Sequence, residues 1–161
     1  MQQSLCEHVH PIAECPPLDV TEPDGSELQN DPRRPKVLII DDDPTVTGAL
    51  SLGLSRLGYR TVTASDGSTG MRLVDSERPS LVLMDVGLPD ADGLELCRRL
   101  ADDPALAATP VIIVSGTERT DVVRESRAAG SHYFVRKPYD PNALLVLIDR
   151  AIAEAEATDL E

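Results

Sequence analysis

Apolar residues fall along this chain in two alternating rhythms: short unbroken runs, and longer stretches with apolar positions spaced three and four apart. KVLII at 36–40 is a five-residue β-branched run, which predicts a buried strand. Pro44 then opens a helix in which Val46, Ala49, Leu50, Leu54 and Leu57 recur at helical spacing, with Gly58 as its stop. TVTAS after Tyr59 predicts a second strand, and DGSTGMRLVDSERP a helix ended before Pro79. LVLM at 81–84 is a third strand, followed by a helix from Gly93 to about Asp103 bearing Leu94, Cys97 and Leu100. PVIIV is a fourth strand, Glu118–Ala129 a helix stopped by Gly130, and HYFV a fifth strand. The last helix runs from Asn142 to about Ala155 and carries Leu144, Leu145, Ile148, Ala151 and Ile152.

Five strands alternating with five helices predict a parallel α/β sheet covered on both faces. The first, third and fourth strands are apolar throughout, as central strands should be; the second is more polar and suits an edge. Residues 36–155 form the predicted domain, with a short acidic tail at 156–161. Residues 1–35 break the rhythm, with six prolines and seven acids against two arginines, the composition of a disordered leader. Cys6, His8, His10 and Cys15 within it match no usual zinc spacing and read as soft residues in a tail.

Composition narrows the function classes. Hydrophobic residues make up 41% of the chain but aromatics only 2%, so the core must be built of Leu, Val, Ile and Ala. A net charge of −13 without a basic patch sets nucleic acid aside as a partner. No segment reaches the length of a membrane span and the N-terminus has no signal-peptide core, so no membrane is expected. Three cysteines fit a reducing cytoplasm better than a disulfide framework.

In a sheet of this kind, ligands bind at the carboxyl ends of the strands, where the strand order reverses. The first strand ends in Asp41-Asp42-Asp43, the third in Asp85, the fourth in Ser115, and the fifth runs into Arg136-Lys137-Pro138. Neighbouring carboxylates repel unless a cation neutralises them, and a hard divalent ion such as Mg²⁺ takes a few carboxylates and keeps open positions. A lysine and a hydroxyl complete a kit for stabilising a transferring phosphoryl group, and a carboxylate in it can be the nucleophile. Singly, an acidic run is ordinarily a solvated turn or a helix cap, and a lone Ser or Lys a surface residue. The informative feature is one such group at each strand end.

With these motifs, VLIIDDDP, LVLMDVGLPDADG, VIIVSG and VRKP, residues 36–155 resemble the receiver domain of two-component response regulators. The resemblance covers about three quarters of the chain. It implies a flavodoxin-like doubly wound five-stranded sheet of order 2-1-3-4-5, with Asp85 as phosphoacceptor. It implies Mg²⁺ (or Mn²⁺) held by Asp41, Asp42, Asp85 and the backbone carbonyl of Gly87, with Asp41 assisting through a water. Ser115 and Lys137 would contact the phosphoryl oxygens, and Ser115 and Phe134 would form the switch. A cis bond would precede Pro138. The implied partners are a histidine kinase or histidine phosphotransfer protein upstream and a downstream protein. The surface of the fourth helix, fifth strand and fifth helix would be the output and the place for a homodimer.

Some positions depart from the commonest pattern of that family. Ser115 stands for threonine, Gly116 for alanine, and Gly87 offers no side chain to tune dephosphorylation. Phe134 lacks a tyrosine hydroxyl, so its switching must work by packing. Asp90 and Asp92 match no catalytic role and read as loop residues, Asp92 as a helix N-cap. Two rival readings are a degenerate receiver that binds partners without phosphorylation and a phosphatase of the haloacid-dehalogenase type. The intact set of five site residues opposes the first. The order of motifs, with the acidic pair ahead of the nucleophile, opposes the second. The expectation is thus a signalling module with self-catalysed phosphoryl transfer and autodephosphorylation, rather than an enzyme with turnover. A transcription factor is not expected, since the chain is acidic and no C-terminal DNA-binding domain is read after the last helix.

Overall fold

The computed structural model describes residues 31–118 and 120–159, so the leader segment 1–30, including Cys6, His8, His10 and Cys15, lies outside the described residues. Five strands alternate with five helices. They are β1 (Lys36–Ile40), α1 (Pro44–Arg56), β2 (Arg60–Ala64), α2 (Gly67–Glu77), β3 (Leu81–Asp85), α3 (Gly93–Asp102), β4 (Val111–Ser115), α4 (Val122–Ala128), β5 (Tyr133–Arg136) and α5 (Pro141–Asp159). All strands are parallel in the order β2-β1-β3-β4-β5, so the flavodoxin-like doubly wound arrangement holds. The chain reverses its direction of travel across the sheet after β2, which leaves the carboxyl ends of β1 and β3 side by side. Their register, Ile40 opposite Met84, sets Asp41 beside Asp85.

The sheet separates two aliphatic cores. On one face, Leu38, Ile40, Val82, Met84 and Ile113 pack with Val74 of α2, Leu94, Cys97 and Leu100 of α3 and Val122 of α4. On the other, Val37, Ile39, Leu83, Ile112 and Val114 pack with Leu50 and Leu54 of α1 and Leu144, Ile148, Ala151 and Ile152 of α5. Residues alternate between the two faces along each strand, as the pleat requires. Both faces of β1, β3 and β4 are covered, so those strands are apolar throughout. β2, at the edge, is only half-buried through Val62.

Several local expectations are corrected. α4 begins at Val122 rather than Glu118; Gly116, Thr117 and Glu118 form no regular structure. The segment before Val122 offers no apolar side chain to the core, and a helix in water depends on packing an apolar face. Leu57 and Ala49 sit at helical spacing but are exposed, Leu57 by 59%, because the inward stripe of α1 is carried by Leu50 and Leu54. α5 continues to Asp159, so residues 156–159 belong to the helix rather than to a separate tail. β3 extends one residue further than its apolar run, taking in Asp85 itself.

Candidate functional site

Each candidate side chain is mounted on a strand end. Asp41 follows β1 and is buried; Asp42 beside it is exposed; Asp43 is the N-cap of α1, its carboxylate accepting from Thr45 N at 2.8 Å. The Asp43 amide donates to Asp41 Oδ1 at 2.9 Å, which fixes the buried carboxylate from one side. From the other side, Lys137 Nζ donates to Asp41 Oδ2 at 2.7 Å and stands 3.6 Å from Asp85 Oδ1. One ammonium therefore joins the ends of β1 and β3. Asp41, Asp42 and Asp85 each offer an oxygen within 4.8 Å of the others.

Lys137 is held in place through the neighbouring strand. Its amide donates to the carbonyl of Ser115 at 2.8 Å, and the peptide bond to Pro138 is cis. Ser115 is buried at the end of β4, where its Oγ accepts from Thr117 N at 3.1 Å. Gly116 follows Ser115 next to the lysine: a Cβ there would lie 3.7 Å from Lys137 Cβ, an ordinary van der Waals contact. Phe134 pairs with Ile113 across β4–β5 and is half-buried against the core on the α2–α4 face.

Burial pushes the Asp85 carboxyl above the ordinary carboxylate value. The charge of Asp41 pushes the same way, while the Lys137 ammonium and the amides of Val86 and Gly87 oppose it. Burial alone would lower the Lys137 ammonium, but its hydrogen bond to Asp41 and the charges of Asp85 and Asp41 outweigh that and hold it above a free lysine. Three carboxylates against one ammonium leave an excess of two negative charges. This is the donor set of a divalent ion with oxygen ligands, and the oxygen spread is one that a small hard cation spans with direct and water-bridged contacts. The residues present fit Mg²⁺.

Between Asp85 and α3 lies the loop 86–92. Val86 and Leu88 are buried pegs, and exposed Gly87 between them forms an antiparallel bridge with Asp92. A Cβ on Gly87 would stand 3.9 Å from Asp85 Oδ2, so this backbone passes directly beside the Asp85 carboxylate. Asp92 caps α3, accepting from Leu94 N at 2.8 Å as its position predicts. Gly93 is required by close approach, because a Cβ there would collide with the carbonyl oxygen of Asp85. Two residues were not legible as part of the surroundings. Tyr139 lines a narrow recess with Asp41, Val46, Met84 and Asp85, and burial raises its hydroxyl pKa. Asp90 bonds to the start of α2, amides 22 and 23 residues away that no spacing rule connects to it.

The sequence model of the response regulator receiver domain matches residues 37–149, which contain every one of these side chains. The chain belongs to the response regulator receiver domain family. Protein PilH of Pseudomonas aeruginosa is 35% identical over 119 residues, 73% of this chain and 98% of PilH. Transcriptional regulatory protein AfsQ1 of Streptomyces coelicolor is 35% identical over 127 residues, 78% of this chain and 55% of AfsQ1. This chain thus spans about half the length of AfsQ1, and likewise 47% of the DNA-binding regulator RpaA of Synechocystis. Among solved structures, a CheY-like receiver domain protein of Methanospirillum hungatei superimposes with a TM-score of 0.73 at 27% identity, covering 78% of this chain and 98% of that one. A BeF3-activated DrrB receiver domain does so with a TM-score of 0.67 at 28% identity, covering 74% and 98%. As a receiver, the chain is a module of two-component signalling. Among the described residues, no helix is long and apolar enough to cross a membrane.

Proposed function

We propose that this receiver accepts a phosphoryl group on Asp85 from the phosphohistidine of a histidine kinase or phosphotransfer protein, in a Mg²⁺-dependent reaction. The observation that carries this reading is the Lys137 ammonium set between Asp41 and Asp85, 2.7 Å from one and 3.6 Å from the other. A degenerate receiver would have no need to hold a cation against a buried carboxylate at the switch point.

One Asp85 carboxylate oxygen attacks phosphorus, forming a P–O bond as the N–P bond breaks, and the leaving imidazole keeps the electron pair and takes a proton. Asp41, Asp42, Asp85 and the Gly87 carbonyl would hold the Mg²⁺, whose part is to offset charge on the phosphoryl oxygens. Lys137 supplies a second positive charge to those oxygens, and Ser115 Oγ a hydrogen bond. A turn of Ser115 Oγ toward the phosphoryl group would draw on its contact with Thr117 N, at the start of the segment ahead of α4. Phe134, opposite Ile113 on β5, is the aromatic ring that would repack in response. The surface of α4, β5 and α5 is the proposed output and the proposed site of homodimer formation. The net charge of −13 supports a protein rather than a nucleic acid as the downstream partner. We place the module in the cytoplasm, with residues 36–159 as the receiver, the whole of α5 included, and 1–35 as an acidic, Pro-rich leader.

Incubation with acetyl phosphate and Mg²⁺ tests the assignment. Wild-type protein should gain the mass of one phosphoryl group, labile to hydroxylamine and dependent on the metal, and Asp85→Asn should gain none. An Asp85→Asn protein that is phosphorylated to the same extent would sink the reading.

A further inference from the structure

The loop beside Asp85 is fastened to the fold at a point away from the acidic cluster. Asp90 sits at its exposed tip, and both carboxylate oxygens accept from backbone amides at the start of α2, Gly67 N at 2.7 Å and Ser68 N at 2.9 Å. These are among the donors that a helix leaves without an intrahelical partner. Asp66, the local N-cap, meets the next one, Thr69 N, at 2.7 Å. The helix therefore has two acidic caps, one its own and one that reaches over from another loop. The start of α2 is closely packed against side chains of the loop and of α3: a Cβ on Gly67 would lie 2.7 Å from Leu96 Cδ1 and 3.1 Å from Ala91 Cβ.

Asp90 also closes a mechanical circuit. From Asp85 the chain passes Gly87, returns on itself through the Gly87–Asp92 bridge, and is tied at Gly93, whose amide donates to the Val86 carbonyl at 2.9 Å. The base of the loop is thus held by β3 and α3, and its tip by α2. Without the tip bond, Gly87 and its neighbours would sample more backbone states, and the cost of ordering them would fall on whatever binds there.

We propose that Asp90 is a positioning residue of the phosphoacceptor site: by clamping the loop to the N-terminus of α2 it holds Gly87 and Asp85 ready for the divalent cation. This rests on the reading of the site given above. Asp90 touches neither metal nor phosphoryl group; it acts through the loop. Coupling of this kind is reciprocal, so the cation must strengthen the clamp as much as the clamp strengthens cation binding.

The test is calorimetric titration of Mg²⁺ into full-length wild-type protein and the variants Asp90→Ala, Asp90→Asn and Asp66→Ala. Asp90→Ala should weaken Mg²⁺ binding by about tenfold, the low end for a residue that supports a metal site from outside. Asp90→Asn keeps one acceptor oxygen and should fall between the two; it also serves if the alanine variant does not fold. Asp66→Ala removes the other cap of the same helix, so it should lower the melting temperature while leaving Mg²⁺ affinity unchanged. In wild-type protein, Mg²⁺ should slow hydrogen exchange of the Gly67 and Ser68 amides. Unchanged Mg²⁺ affinity in Asp90→Ala and Asp90→Asn, or an equal loss in Asp66→Ala, would overturn the positioning role while leaving the site reading intact. Wild-type protein that binds no Mg²⁺ would overturn both.

Discussion

Glycine 93 and glycine 87 flank the same loop, yet the structure assigns them opposite tolerances. A methyl on Gly93 has to displace the backbone of Asp85, with Val86 Cα only 2.9 Å from it, so Gly93→Ala should cost about 2–3 kcal/mol in urea unfolding. A methyl on Gly87 meets nothing closer than Asp85 Oδ2 at 3.9 Å, so Gly87→Ala should stay within about 0.5 kcal/mol of wild type. Equal losses in the two variants would contradict the close approach at Gly93. Asp90 carries a pH dependence. Hydrogen bonds from the Gly67 and Ser68 amides hold its carboxyl below the ordinary value, so its contribution to stability is full above the unfolded pKa and disappears as pH falls through the folded one. The difference in melting temperature between wild type and Asp90→Asn should therefore be present at neutral pH and close as pH drops below about 4. The carboxylates, hydroxyl and lysine at the strand ends could be read from sequence because each directly follows a recognisable apolar run. Asp90 and Tyr139 could not, because their roles depend on which loops and helices meet in space.

Helix α1 shows what periodicity conveys and where it stops. Its apolar residues recur at the right interval, but only some of them face the sheet: Leu54 is fully buried, while Leu57 follows the helix at its C-cap and is 59% exposed. Leu54→Ala should cost about 2–5 kcal/mol and Leu57→Ala no more than about 0.5 kcal/mol, measured by chemical denaturation. Strands and helices were legible because burial on both faces forces unbroken apolar runs in β1, β3 and β4 and one-sided stripes in the helices between. Boundaries were less so. The start of α4 and the end of α5 are set by packing and by the absence of a breaker, and neither leaves a mark as plain as a proline. The strand order could be inferred for the edge strand β2 from its polarity; β5, also an edge, is half-buried and reads from sequence as any other strand.

At the scale of the molecule, the acidic cluster and its excess negative charge should make stability depend on divalent ions. Mg²⁺ at a hundred times its dissociation constant should stabilise the fold by about 2.7 kcal/mol, seen as a rise in melting temperature beyond that given by KCl of equal ionic strength. With a net charge of −13, some stabilisation by KCl itself is expected from screening, which makes that control necessary. Asp85→Asn should lose most of the Mg²⁺-specific rise and keep the rise from KCl. The two aliphatic cores, with α1 and α5 over one face and α2, α3 and α4 over the other, have a consequence of their own. The sheet is a bulkhead. Leu54→Ala in one compartment and Leu100→Ala in the other should be additive within about 0.5 kcal/mol, as for sites that share no partner. Damage in one compartment leaves the other packed, and the carboxyl rim, where Asp41 and Asp85 line one recess with residues of both cores, borders on both.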